Sequence, residues 1–242
     1  WYGIYPMISV YKTVKEKSEI VHKYRIPYWH VPLCEWWSGS IKGLTGEEQI
    51  IQSYLTIIGG ANGILWWVWP PRYKDNWNAL KKLAYEFNLL TPILIEPTPK
   101  QKIVYKEREM EDTVKVLIKS YKNKTYLITA NACESPVKVA FLLPKKYKGK
   151  CNVWFEKRTI PIKVEKNNST FTDTFAGYGR HVYELEGEWK GDEGIFLSIN
   201  IEKEKKIAEK ERTKEDKEVL PFPNLIYDPG FETPYYWKFG SK

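Results

Sequence analysis

The stretch TGEEQIIQSYLTIIGGANGILWWVWPP, residues 45–71, decides how the first part of the chain reads. Thr45 and Glu48 form a capping box, in which a hydroxyl and a carboxylate each satisfy a backbone N–H that the first helical turn leaves unpaired. Ile50, Ile51, Tyr54, Leu55 and Ile58 follow at helical spacing and give one apolar face. Gly59-Gly60 closes the helix. Gly63 to Trp69 is then apolar without alternation and is bounded by Pro70-Pro71. That is the pattern of a strand covered on both faces in a parallel sheet.

The same alternation extends to either side. Upstream, Trp1 to Pro6 reads as a strand end, Val14 to Tyr24 as a helix with Val14, Ile20, Val21 and Tyr24 as its apolar positions, and Ile26 to Trp37 as containing a strand. Downstream, Asp75 to Leu90 reads as a helix with Trp77, Leu80, Leu83, Ala84, Phe87 and Leu90 on one face, and Asp75 and Asn76 as its N-cap. The order β-α-β-α-β-α predicts parallel strands with right-handed crossovers. After Pro92 the period becomes two. Strands are expected at Lys102–Glu107, Thr113–Ser120, Thr125–Ala130, Val137–Leu142, Cys151–Phe155, Ser169–Phe175 and His181–Leu185, with one more at Gly194–Ile199. So many short strands in so little chain predict an antiparallel β-sandwich.

Composition narrows the function classes. With 43% hydrophobic and 28% charged residues the chain should fold and stay soluble. No apolar run reaches the ~18–20 residues that span a bilayer. The net charge is +8, but the lysines are scattered, and from Glu202 to Lys217 they alternate with glutamates. That describes a solvated face rather than the one-signed patch that nucleic acid needs. Lysine outnumbers arginine, and Gln and Ala are scarce, which fits a thermophile or an AT-rich genome alike. Cys34, Cys133 and Cys151 lack metal-ligand spacing and read as three buried thiols; a Cys133–Cys151 pairing stays open, although the odd total argues against a disulfide framework. There is no phosphate loop, zinc spacing or Ser-His-Asp arrangement, so no cofactor and no metal are expected. The chain opens at Trp1 inside a strand-like run, so its N-terminus reads as cut. The informative excess is aromatic: 11 Trp and 17 Tyr. Indoles stack on the C–H face of a sugar ring while polar neighbours take its hydroxyls.

Three stretches, in order, resemble one family. Tyr2-Gly3-Ile4-Tyr5-Pro6-Met7 is similar to the end of the sixth barrel strand in glycosidases of the β-galactosidase-like (β/α)8 clan. Pro27 to Trp37, then Thr45 through Gly63-Ile64-Leu65-Trp66-Trp67-Val68-Trp69, resembles the seventh strand, its helix and the eighth strand. Lys124-Thr125-Tyr126-Leu127-Ile128 with Ala130-Asn131, and Phe171-Thr172-Asp173-Thr174-Phe175 with Tyr178 and His181-Val182-Tyr183, resembles the small β-domain that follows such barrels. Asn224 to Glu232, with Trp237, is similar to the first strand of jelly-roll carbohydrate-binding modules. The resemblance implies an α/β partial TIM barrel, its last three βα units, over residues 1–95. It implies an all-β antiparallel sandwich over 96–187, a charged linker or helix over 188–220, and the start of a carbohydrate-binding module over 221–242. A whole barrel takes ~250 residues, so the remaining strands would come from the parent chain or a companion chain. An extracellular or cell-surface setting goes with that family.

The resemblance also implies the chemistry. Retaining glycosidases use two carboxylates ~5–5.5 Å apart, and barrel enzymes carry reacting groups at the C-terminal ends of their strands. Glu35 matches the family's nucleophile at the end of strand seven. The family's acid/base, an Asn-Glu pair after strand four, has no counterpart here and would lie outside the chain. Tyr5, Trp36, Trp37, Trp67 and Trp69 are the candidate substrate-binding residues, with Trp69 the best-placed sugar platform. The residue types leave other readings open. Glu35 is equally a solvated loop carboxylate, Tyr5 is equally a packing residue, and Trp66, Trp67 and Trp69 taken singly read as core before ligand. His22 and His30 read as structural or surface residues. A catalytically silent barrel that holds a glycan or a cell surface is the alternative to an enzyme.

Overall fold

The computed structural model describes residues 6–34, 44–67, 71, 73–190 and 194–201. The expected strand at Trp1–Pro6 and the segments 202–218 and 221–242 lie almost wholly outside the described residues. The first part of the chain runs α1 (Ile8–His22), β1 (Trp29–His30), α2 (Gly46–Ile58), β2 (Gly63–Ile64) and α3 (Lys74–Leu94). β1 and β2 are parallel, with Trp29 opposite Gly63 and His30 opposite Ile64. The pairing continues as a bridge between Leu33 and Trp67.

α2 forms as its sequence dictates. The Glu48 amide donates to Thr45 Oγ1 at 3.2 Å, and the Thr45 amide donates to Glu48 Oε2 at 2.7 Å. The closing glycines also let α1 come close. A Cβ on Gly59 would sit 2.9 Å from Val14, and Ser18 Oγ donates to the Gly59 carbonyl at 2.8 Å. This contact explains why α1 starts earlier than its apolar spacing predicts. Val10 and Val14 are buried against α2, whereas Ile20 and Tyr24 are exposed. α3 outruns its prediction as well, passing through Pro92 to Leu94. The proline removes one helical N–H donor, and beyond it the Lys119 ammonium donates to the carbonyls of Leu94 and Glu96 at the helix's C-terminal end.

The rest is strand: β3 (Lys102–Tyr105), β4 (Val114–Tyr121), β5 (Lys124–Asn131), β6 (Val137–Pro144), β7 (Gly149–Val153), β8 (Arg158–Val164), β9 (Asn168–Phe175), β10 (Arg180–Glu186) and β11 (Gly194–Ile201). They form one nine-stranded sheet in the order β3-β11-β6-β9-β8-β7-β10-β5-β4. All neighbours are antiparallel except β3, which runs parallel to β11 against the expectation of a wholly antiparallel arrangement. β8 falls outside the expected strands, and it contains Pro161. From Arg158 to Ile162 it pairs with β7 alone, and only Lys163 and Val164 pair with β9. A proline is tolerated where one edge of the strand carries no ladder.

The sheet wraps a core that joins residues from its two ends. Val114, Val116 and Ile118 of β4 meet Val137, Val139 and Phe141 of β6 and Ile195, Leu197 and Ile199 of β11. Phe141 stacks on Phe171 with ring centroids 4.6 Å apart. The opposite face of β4, β5 and β10 is covered too. Leu117, Tyr126, Ile128 and Val182 pack with Val14, Ile51, Leu55 and Leu83 of the helices. β4 and β5 are therefore buried along nearly their whole length. The polar groups in this wall are satisfied. Glu184 accepts bonds from Lys124, Asn152, Tyr126 and Trp154 at 2.7–3.2 Å.

Candidate functional site

The carboxyl end of β1 is where the candidate chemistry begins. Hydrogen bonds carry the two parallel strands onward: Leu65 N–H donates to the His30 carbonyl, Trp67 N–H to the Pro32 carbonyl and Cys34 N–H to the Trp67 carbonyl, at 2.9–3.1 Å. Strand side chains alternate between faces. On one face stand Trp29, Val31, Leu65 and Trp67, exposed by 61%, 37%, 59% and 46%. The Trp29 indole lies over Gly63, where a Cβ would come within 2.8 Å of the ring. The other face turns to the helices. There His30 is buried, with Nδ1 3.2 Å from the Tyr28 hydroxyl, and burial lowers its pKa below the usual imidazole value. Trp66 on that side lines a groove of about 460 Å³ with Ile57, Ile64, Trp77, Phe87 and Ile95.

Beside the strand ends the first turns of α2 and α3 meet. The Gly46 amide donates to Asp75 Oδ2 at 3.0 Å, and a Cβ on Gly46 would come within 2.7 Å of the Asp75 carbonyl oxygen. Asn76 Nδ2 lies 3.2 Å from the Cys34 carbonyl, 3.0 Å from the Leu44 carbonyl and 3.0 Å from Gln49 Oε1. Gln49 Nε2 in turn donates to Cys34 Sγ at 3.2 Å. Asp75 and Asn76 are thus not the N-cap of α3. Tyr73 holds that position without a side-chain cap, and both polar residues reach outward from the first turn. Sequence reasoning missed Gln49 and Asn76 as structural partners, because a polar residue near a helix start ordinarily serves its own helix.

Of the expected site residues, Trp67 is placed, on the exposed face beside Leu65. Glu35, Tyr5, Trp36, Trp37 and Trp69 lie outside the described residues. Glu35 follows Cys34 directly in sequence. The tryptophan run had been expected to form a buried strand; Leu65 and Trp67 are instead exposed, since nothing described covers their face. His22 bonds Asn62 Oδ1 at 2.8 Å, a structural role. The three cysteines are free thiols, Cys34 and Cys151 buried and Cys133 half-buried. Burial pushes the Cys151 thiol up to about 11, which leaves it unreactive near neutral pH.

No family model matches the sequence, and no curated protein does. Solved structures do. AmyP in complex with maltose matches with a TM-score of 0.53 at 8% identity, covering 77% of this chain and 50% of that one. CldA, a cyclomaltodextrin glucanotransferase, matches at 0.45 and 14% identity over 74% of this chain and 43% of its own. The α-amylase from Geobacillus thermoleovorans complexed with acarbose matches at 0.43 and 12% identity over 60% and 34%. The likeness rests on the first of these and is one of fold. This chain spans half the length of AmyP. Among the described residues no helix is long and apolar enough to cross a membrane. Among the described residues the chain is mostly strand with few helices, and its fold is like that of AmyP.

Proposed function

We propose that this chain supplies the last strands of the (β/α)8 barrel of a retaining glycoside hydrolase of the β-galactosidase-like clan, with the β-sandwich that follows it, and that Glu35 is the nucleophile. The observation that carries the reading is the parallel β1–α2–β2 unit, whose pairing runs at least to Cys34, the residue that precedes Glu35-Trp36-Trp37 in sequence. Parallel barrels present reacting groups at the carboxyl ends of their strands. In this reading the nine-stranded sheet is the sandwich, 221–242 begins a carbohydrate-binding module, and the setting is extracellular or cell-surface. The substrate is a polysaccharide or oligosaccharide. Trp36, Trp37, Trp67, Trp69 and Tyr5 line its subsite, and the acid/base carboxylate comes from outside this chain. A retaining mechanism passes through a covalent glycosyl–enzyme intermediate. An activated 2-deoxy-2-fluoro-β-glycoside slows breakdown of that intermediate, so incubation with the full-length protein should leave one sugar on the peptide containing Glu35. Mass spectrometry that finds the adduct on another carboxylate, or on none, removes the assignment.

The proposal also says what covers the exposed tryptophans. Trp29, Val31, Leu65 and Trp67 would face the barrel interior, and both outer edges of the β1–β2 pair would continue into further parallel strands. The 242-residue chain produced alone should therefore bind an apolar dye and self-associate, and should lose both properties when the remaining barrel strands are present. A monomeric, cooperatively melting 242-residue product that ignores the dye contradicts this.

A further inference from the structure

We infer that His181 is a proton-operated latch: with both ring nitrogens protonated it holds the β7–β8 turn, through Glu156, against the helix layer, and loss of one proton lets the turn go. The imidazole stands on β10 between two acceptors. Nδ1 meets a carboxylate oxygen of Glu156 in the turn, and Nε2 lies 3.2 Å from the Thr174 carbonyl oxygen of β9. An imidazolium donates at both nitrogens, whereas a neutral imidazole donates at one and presents a lone pair at the other. Either neutral tautomer therefore turns a lone pair on an oxygen. The other charged neighbours do not relieve this. Arg158 of β8 comes within 3.3 Å of Nδ1, but it is held by two bonds to Asp173, at 3.1 and 2.7 Å, and by one to Glu156 at 2.6 Å. Asp173 of β9 also accepts from the Tyr183 hydroxyl at 2.8 Å and lies 3.9 Å from His181 Nε2. The imidazole packs edge-on against Phe175, with ring centroids 4.5 Å apart, and its side chain is 12% exposed.

The turn needs holding. Phe155 and Lys157 flank Glu156 at φ of 69° and 51°. Side chains with a Cβ rarely adopt that region, and it persists where the surrounding structure imposes it. Inside the turn the Glu156 amide reaches the Val153 carbonyl at 3.4 Å, a long bond. The turn nevertheless spans two layers. Phe155 and Trp154 pack on the helix-layer core, and the Phe155 ring lies 6.5 Å from that of Tyr85 on α3. Glu156 ties the same turn back to the sheet through Arg158 and His181. The charge on His181 is thereby coupled to the seam between strands and helices.

The latch is closed on the acid side. Burial raises the Glu156 pKa, but the bonds from His181 and then Arg158 outweigh it and hold it below the usual carboxylate value, so Glu156 keeps its charge well into acid. The stability that the His181–Glu156 pair supplies is present while His181 is charged and is lost as pH rises and the imidazole gives up its second proton. Histidine is the side chain that changes charge between about pH 5 and 8.

Hydrogen–deuterium exchange of the full-length protein tests this at pH 6 and pH 9, on either side of that range, with a free peptide of sequence 150–160 correcting for the intrinsic rate. Protection of segment 150–160 should fall about tenfold or more at pH 9, while that of β4 and β5 stays within about twofold. In His181→Gln the side chain carries no charge at either pH, so protection should be low already at pH 6 and should not depend on pH. If that variant does not fold, Glu156→Gln serves instead, and it should lose most of the fall. A wild-type segment equally protected at both pH values overturns the latch. So does a fall that survives intact in His181→Gln or Glu156→Gln, because another group would then be titrating.

Discussion

Glu35→Gln in the full-length protein is expected to lower kcat on 4-nitrophenyl β-glycosides by on the order of a thousandfold or more. Glutamine keeps the volume and the hydrogen-bonding reach of glutamate. What it loses is the negative oxygen that attacks the anomeric carbon and balances the oxocarbenium-like charge of the transition state. The melting temperature should stay close to that of the parent, because glutamine is nearly isosteric with glutamate. A second measurement separates a missing nucleophile from a damaged pocket. In a Glu35→Gly variant, added azide should attack the anomeric carbon as the phenolate leaves with the bonding electrons, giving a glycosyl azide of inverted configuration. Sugar release unchanged in Glu35→Gln would end the nucleophile assignment and bring forward the catalytically silent, glycan-holding reading.

Glu86→Ala is expected to destabilise the protein by about 3–5 kcal/mol, a large share of the roughly 5–15 kcal/mol that holds a typical domain together. Glu86 on α3 is buried, with a side chain 2% exposed. It is ion-paired with Arg180 of β10 and accepts from the Tyr54 hydroxyl of α2 at 2.7 Å. The guanidinium also lies over the Tyr54 ring, 5.3 Å from its centroid. Burial first, and the neighbouring Glu86 charge second, raise the Tyr54 phenol well above its ordinary pKa, so it remains a neutral donor. Removing the carboxylate strands a largely buried cation. Replacing both partners removes the cation as well, so Glu86→Met with Arg180→Met should cost less than Glu86→Ala alone. Chemical denaturation of the two variants measures this. A Glu86→Ala cost below about 1 kcal/mol would mean that water reaches Arg180 freely.

Local signals made much of the fold legible. The capping box at Thr45 and Glu48 and the apolar stripe after it fixed α2, and period-two stretches located most of the strands. What escaped depended on partners distant in the chain. α1 starts at Ile8 because Val10 joins the helix core and Val14 meets Gly59, contacts that sequence spacing does not contain. β8 falls outside the expected strands, and its Pro161 is tolerated because β7 alone pairs with that half of the strand. The burial of β4 and β5 on both faces is non-local too, because nothing nearby in sequence announces that helices will cover the second face. The candidate site was legible in a different way. Glu35 and the tryptophans came from a resemblance, and of them the described residues include Trp67. The junction of Cys34, Leu44, Gln49 and Asn76 carried no motif, since its members lie far apart in the chain and serve other elements by default.

The doubly covered wall of β4, β5 and β10 limits how this protein can be rearranged. One side of it completes the strand core, and the other completes the helix layer through Leu117, Tyr126, Ile128 and Val182, with Glu86 and Arg180 bridging the seam. Neither half owns that wall. A graft of the strand region onto an unrelated barrel would arrive with an apolar outer surface cut to fit these helices and no others. Its natural unit of inheritance is therefore the pair, and Leu117 or Val182 should drift only in step with Ile51, Leu55 and Leu83.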